Sequence, residues 1–170
     1  ARTHATERVA FRIAPDAASL STAAPVAVRY PRATDDFGTE VVIGGLGASA
    51  TWVYDVEVNG VRTPPAELKT APEDGPTSLT MAFGSCTRDT DQPIFQQISD
   101  LDPDIFLFIG DNHYANTDNL STLRQFYRWG LEVPERAELL HHTSILAIWD
   151  DHDYVGNNTH GWEPGKDVAL

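Results

Sequence analysis

Residues 103–114 read PDIFLFIGDNHY: five consecutive apolar residues, Ile105 to Ile109, followed at once by Gly110, Asp111, Asn112, His113 and Tyr114. A short run without polar alternation, bounded by a proline and a glycine, predicts a strand buried on both faces, as in a parallel sheet. Two further runs share this character. Residues 79–83 lead into Gly84-Ser85-Cys86, and residues 145–149 lead into Asp150-Asp151-His152-Asp153-Tyr154. Between the runs, residues 93–101, 119–129 and 135–142 carry apolar side chains at helical spacing, for example Ile94, Phe95, Ile98 and Leu101. Strand, helix, strand, two helices, strand is a βαβ arrangement, and three such strands make half of a sheet.

Upstream the pattern differs. Residues 24–30, 40–44 and 50–58 are rich in Val, Tyr and Trp, and Trp52, Tyr54, Val56 and Val58 alternate as on a half-buried antiparallel strand. Asn59-Gly60 supplies the pair that a two-residue hairpin turn prefers, because both central positions need positive φ. The expectation is an N-terminal all-β sandwich of fibronectin or immunoglobulin type over residues 1–73. Proline, glycine and acidic residues at 70–77 (TAPEDGPT) form the linker, and residues 74–170 form the incomplete α/β part.

Composition limits the function. The 170 residues carry 12 Lys+Arg against 25 Asp+Glu, a net charge of −13, and the only lysines are Lys69 and Lys166, which argues against a general nucleic-acid binder. No stretch approaches the roughly 20 apolar residues of a membrane span. The single cysteine, Cys86, excludes an intramolecular disulfide. An anionic substrate therefore needs a local source of positive charge.

In an open α/β sheet, ligands bind at the carboxyl ends of the strands. Each of the three segments there has a structural reading when taken alone: Cys86 as a small hydrophobe, Asp111 as a turn former, residues 150–153 as a solvated loop. Together they bring thiolate, carboxylate, phenolate and imidazole to one edge of one sheet, and a bound cation relieves the mutual repulsion of such a set. Cys86, Asp111 and Tyr114 suit a ferric ion, with Asp111 placed to bridge two ions. His141 and His142 read as helix-end caps, and Arg124, Arg128 and Arg136 as partners for surface acids. Trp52 and Tyr54 read as core.

FGSC at 83–86, PDIFLFIGDNHY at 103–114 and LAIWDDHDYVGNN at 146–158 together resemble the PhoD-like (alkaline phosphatase D) family of calcineurin-type metallophosphoesterases. LKTAP at 68–72 is similar to the segment joining that family's β-domain to its catalytic domain. The resemblance implies Cys86, Asp111 and Tyr114 as ligands of Fe3+, and Asp151 on a second divalent ion. For that ion Ca2+ is expected, with Zn2+ or Mn2+ as alternatives. It implies His152 as general acid, with Asp150, Asp153, His113 and Asn157 as outer carboxylates or substrate contacts. His113 has a second reading, as a solvated side chain. One departure is Asn116, where the family commonly has an acid.

The activity implied is hydrolysis of phosphate mono- or diesters by metal-bound hydroxide, in an extracellular or periplasmic enzyme. The family's later ligand motifs would fall beyond residue 170. The chain is therefore expected to be the N-terminal portion of a larger enzyme, inactive alone and completed by a C-terminal half as a second chain. The alternatives are a phospholipase D-like diesterase, or a non-catalytic module whose β-domain binds a partner.

Overall fold

The computed structural model describes residues 1–73, 78–88 and 90–169, and the chain divides into two units, Ala1–Thr77 and Ser78–Leu170. The second half of the expected linker, residues 74–77, lies outside the described residues.

The first unit is built on β1 (Val9–Ala14), which pairs antiparallel with β2 (Ala27–Arg29) on one side and β3 (Thr51–Val58) on the other. The far edge of β3 is shared by β4 (Val61–Arg62) at its end and β5 (Ala66–Lys69) at its start. Asn59 and Gly60 both hold positive φ, 48° and 88°, so the β3–β4 turn forms as its sequence dictates. Helix α1 (Ala17–Thr22) starts at Asp16, whose Oδ1 accepts from Ser19 N at 2.7 Å, and buries Leu20.

This is one five-stranded antiparallel sheet, and the second sheet that a sandwich requires is not seen among the described residues. The strand expected at 40–44 does not form. Gly38, Gly44, Gly45 and Gly47 crowd its neighbourhood, where the entropy of ordering an extended backbone is greatest. On β3 the buried residue is Asp55, on the face opposite Trp52 and Tyr54, and it is met by Arg12 and Arg62. Arg62 also donates to the carbonyls of Leu20 and Ser21, at 2.9 and 3.1 Å, which satisfies the free end of α1.

The second unit is a parallel sheet of β6 (Met81–Gly84), β7 (Ile105–Ile109) and β8 (Ser144–Ile148), in that order. Helix α2 (Ile94–Asp100) connects the first two strands; α3 (Leu120–Glu132) and α4 (Pro134–His142) connect the last two. Asn119 caps α3 by accepting from Thr122 N, and Pro134 opens α4 where its missing N–H costs nothing. The core sits on one face of the sheet, where Phe106 and Phe108 meet Phe95 of α2 and Leu139 of α4. The rings of Phe106 and Phe108 lie 4.7 Å apart, edge to face.

The opposite face corrects the expectation of strands buried on both sides. Register aligns Phe83, Leu107 and Leu146 across it, and Met81, Phe83, Leu146 and Ile148 are all exposed. No helix of the described residues is long and apolar enough to cross a membrane.

Candidate metal centre at the strand ends

Two of the three strands of the second unit, β6 and β7, end in a turn that left-handed backbone makes abrupt. Cys86 has φ 60° and Asp111 φ 52°, conformations that cost an ordinary residue of order 1–3 kcal/mol and cluster at functional sites. Gly110 precedes Asp111 with φ 102°, and a Cβ there would stand 2.7 Å from Asp150 Cβ. Backbone bonds join the first two turns: Cys86 N donates to Gly110 O at 3.3 Å and Thr87 N to Asp111 O at 2.8 Å. After β8 the chain makes a single 3-10 turn, Asp151–Asp153.

These turns gather the donor atoms around Asp111. Its Oδ2 accepts from the Tyr114 hydroxyl at 3.1 Å and lies 3.5 Å from Cys86 Sγ. Its Oδ1 is buried and has no hydrogen-bond partner. Asp111, Asp151 and His152 each offer one ligand atom, all within 4.8 Å of one another. A buried carboxylate oxygen without a donor is costly, and a cation among two converging carboxylates and an imidazole would satisfy it, so the donor set fits a metal ion. Hydrogen bonding to Cys86, then burial and Asp111, push the Tyr114 phenol well above its ordinary value. The same side chains that now hold that proton would hold a cation in its place.

His152 is fixed from two sides. Its Nδ1 lies 2.5 Å from Asn116 Oδ1, and its ring lies 4.4 Å from that of Tyr114. With the amide oxygen as acceptor, Nδ1 carries a proton and Nε2 is the nitrogen left to give or take one. Nε2 stands 4.0 Å from Asp151 Oδ1. Asp151 in turn accepts from Asn158 N. Above the Tyr114 ring, 5.0 Å from its centroid, lies the guanidinium of the exposed Arg88.

The remaining predicted site residues take other places. Asp153 is buried, and its oxygens accept from Asn112 N at 2.7 Å, Asn112 Nδ2 at 3.2 Å and Asp150 N at 2.8 Å. Burial raises its carboxyl above the usual range, against the pull of those donors. Asp150 accepts from Asp151 N and so caps the turn. His113 is buried, with Nδ1 facing Ala115 N and its ring edge-on to Tyr127 at 4.3 Å. Burial and then Arg136 lower its pKa to about 4. Asn157 is exposed on the turn that follows.

Four residues outside the predicted set complete the site. Asn112 links all three loops, since its side chain also donates to Ile148 O at 2.8 Å. Asn116 orients His152, and Arg88 brings a positive charge beside the Tyr114 ring. Arg136 is 6% exposed, which corrects its reading as a surface partner. Its spacing from Leu139 and Leu140, three and four residues on, was the signal that it shares their inward stripe.

Fold and site thus define a three-stranded parallel α/β sheet with an anionic, imidazole-containing donor cluster at its carboxyl edge. A solved structure of PhoD superposes on this chain with a TM-score of 0.80 at 16% sequence identity, covering 98% of this chain and 37% of that one. The chain therefore has the fold of part of PhoD, consistent with its N-terminal portion, and spans little more than a third of that protein's length. No family model matches the chain, and no curated protein matches its sequence.

Proposed function

We propose that this chain is the N-terminal portion of a metal-dependent phosphate-ester hydrolase of PhoD type. The observation that carries the reading is Asp111, whose buried, unpartnered Oδ1 stands where three strand ends converge on Cys86, Tyr114, Asp151 and His152. The PhoD fold supports the same class.

In this reading Cys86, Asp111 and Tyr114 would hold Fe3+, while Asp111 and Asp151 would hold a divalent ion, Ca2+ in the first instance. Bound metal would neutralise phosphate charge and lower the pKa of water toward neutrality. The chain's own residues supply the rest. Asn116 and the Tyr114 ring hold His152 so that Nε2 can pass a proton to a departing alkoxide. Arg88, exposed beside the site, is available to an incoming phosphate. Asp153 and Asn112 keep the loops in register without spending ligand atoms. A C-terminal half, as a second chain, would supply further ligands, and without it this stretch is expected to be inactive. An extracellular or periplasmic enzyme is part of the same proposal.

The test is elemental analysis and visible absorption of the natively purified full-length protein beside its Asp111→Asn variant. Near-stoichiometric iron with a tyrosinate charge-transfer band is expected in the parent. Loss of metal and of turnover, with an unchanged circular-dichroism spectrum, is expected in the variant. Parent protein that refuses iron after reconstitution would leave a non-catalytic scaffold and overturn the hydrolase reading. Comparing a monoester with a diester chromogenic substrate then separates a phosphatase from a phospholipase D-like diesterase.

A further inference from the structure

The geometry points to Arg136 as a positioning residue that sets the spacing of the Cys86 and Asp111 donor atoms from the buried side of the site. The inference rests on the metal-centre reading above and extends it to a helix, α4, that contributes no predicted ligand.

Arg136 Nη1 donates to Asn112 O at 3.2 Å and to Thr87 Oγ1 at 3.4 Å, and Thr87 Oγ1 donates to Asn112 O at 2.9 Å. One guanidinium nitrogen, one hydroxyl and one carbonyl therefore form a closed junction. Thr87 and Asn112 directly follow Cys86 and Asp111 in the chain. Any slack at the junction is passed to the donor atoms through a single peptide unit. The guanidinium is held in place by the Phe108 ring, 4.8 Å from its Cζ, and by Gly130, where a Cβ would meet Nη1 at 2.6 Å.

Packing alone does not explain an arginine here. A buried guanidinium loses its hydration, burial lowers its pKa against the longer-range pull of Tyr127 and Asp153, and its Nε has no hydrogen-bond partner. Methionine would fill the same space without that cost. Arginine brings a fork that reaches two loops at once, together with a fixed positive charge near an anionic cluster.

The experiment is calorimetric titration of the full-length protein with Mn2+, comparing the parent with Arg136→Met, Arg136→Lys and Thr87→Val. Residues that orient ligands typically change metal affinity about 10–100-fold when removed. Arg136→Met is expected to weaken Mn2+ binding within that range, and Arg136→Lys, which restores charge but not the fork, is expected to recover part of the loss. Thr87→Val keeps the shape and removes the hydroxyl. It is expected to weaken binding several-fold, and it carries the test if Arg136→Met does not fold. Variants that bind Mn2+ as tightly as the parent overturn the positioning role and leave the metal reading intact. A parent that takes up neither Mn2+ nor iron overturns the metal reading itself, and this inference with it.

Discussion

Asp111 and Asp153 are the same residue type in neighbouring turns, and their surroundings give them opposite tasks. Three N–H donors occupy the oxygens of Asp153, so its charge is spent on holding loops together. Asp111 keeps one buried oxygen free of any donor. Glu57, in the first unit, shows the third possibility, a carboxylate held by side-chain cations: Arg12 lies 2.5 Å and Arg8 2.7 Å from its two oxygens. The hydrogen bond from Arg12 is the largest of the influences that lower its pKa below the ordinary 4.5. The folded pKa is thus below the unfolded one, so the unfolded chain takes up the proton first as pH falls. The contribution is present above pH 4.5 and is lost as pH drops through the depressed folded value. Glu57→Gln is expected to flatten the acid limb of stability below pH 4.5, read as denaturation midpoints at successive pH values. A limb as steep as the parent's would remove Glu57 from the account.

Among the elements, β7 was the most legible. An uninterrupted apolar run of this length reads as a sheet strand, and its bounds Ile105–Ile109 coincide with the run itself, although among the described residues only the face carrying Phe106 and Phe108 is covered. The helices were legible from apolar side chains at helical spacing, and the structure shows Asn119 and Pro134 at the starts of two of them. Strand β1 was not read. VAFRIA neither alternates cleanly nor forms a long run, yet pairing on both edges makes it the centre of its sheet. The turn at Gly110 is the most constrained connection. Gly110→Ala would place a Cβ against Asp150 at a positive φ, and both effects oppose it. A destabilisation of about 1–3 kcal/mol or more is expected in chemical denaturation. A stability within a few tenths of a kcal/mol of the parent would mean that the two loops can move apart freely.

At the scale of the molecule, the uncovered face of the β6-β7-β8 sheet matters most. Met81, Phe83, Leu146 and Ile148 are each more than half exposed on it. Burying side chains of this size is worth roughly 1.5–3 kcal/mol each, so the face strongly favours some apolar cover. The 170-residue chain expressed by itself is expected to bind an apolar dye and to self-associate. Phe83→Lys with Leu146→Lys is expected to reduce both, as read by fluorescence and size-exclusion chromatography. A monomeric parent chain that binds no dye would contradict this account of the face.

Local pattern was enough to read the strand–helix order of the second unit, the hairpin at Asn59-Gly60, and the convergence of Cys86, Asp111, Tyr114, Asp151 and His152 on one edge. Those follow from local periodicity, turn chemistry and the directionality of a parallel sheet. Tertiary structure decided what depends on partners distant in the chain. It joined the β-strands of the first unit into one sheet where two were expected, because pairing energy is settled between strands and not within them. It assigned Asn112, Asn116 and Asp153 to holding the loops, because hydrogen bonds across 36 to 41 residues leave no mark on local pattern. Only the folded chain shows that Asp111 keeps a buried oxygen without a donor, and that oxygen is where the chemistry is proposed to begin.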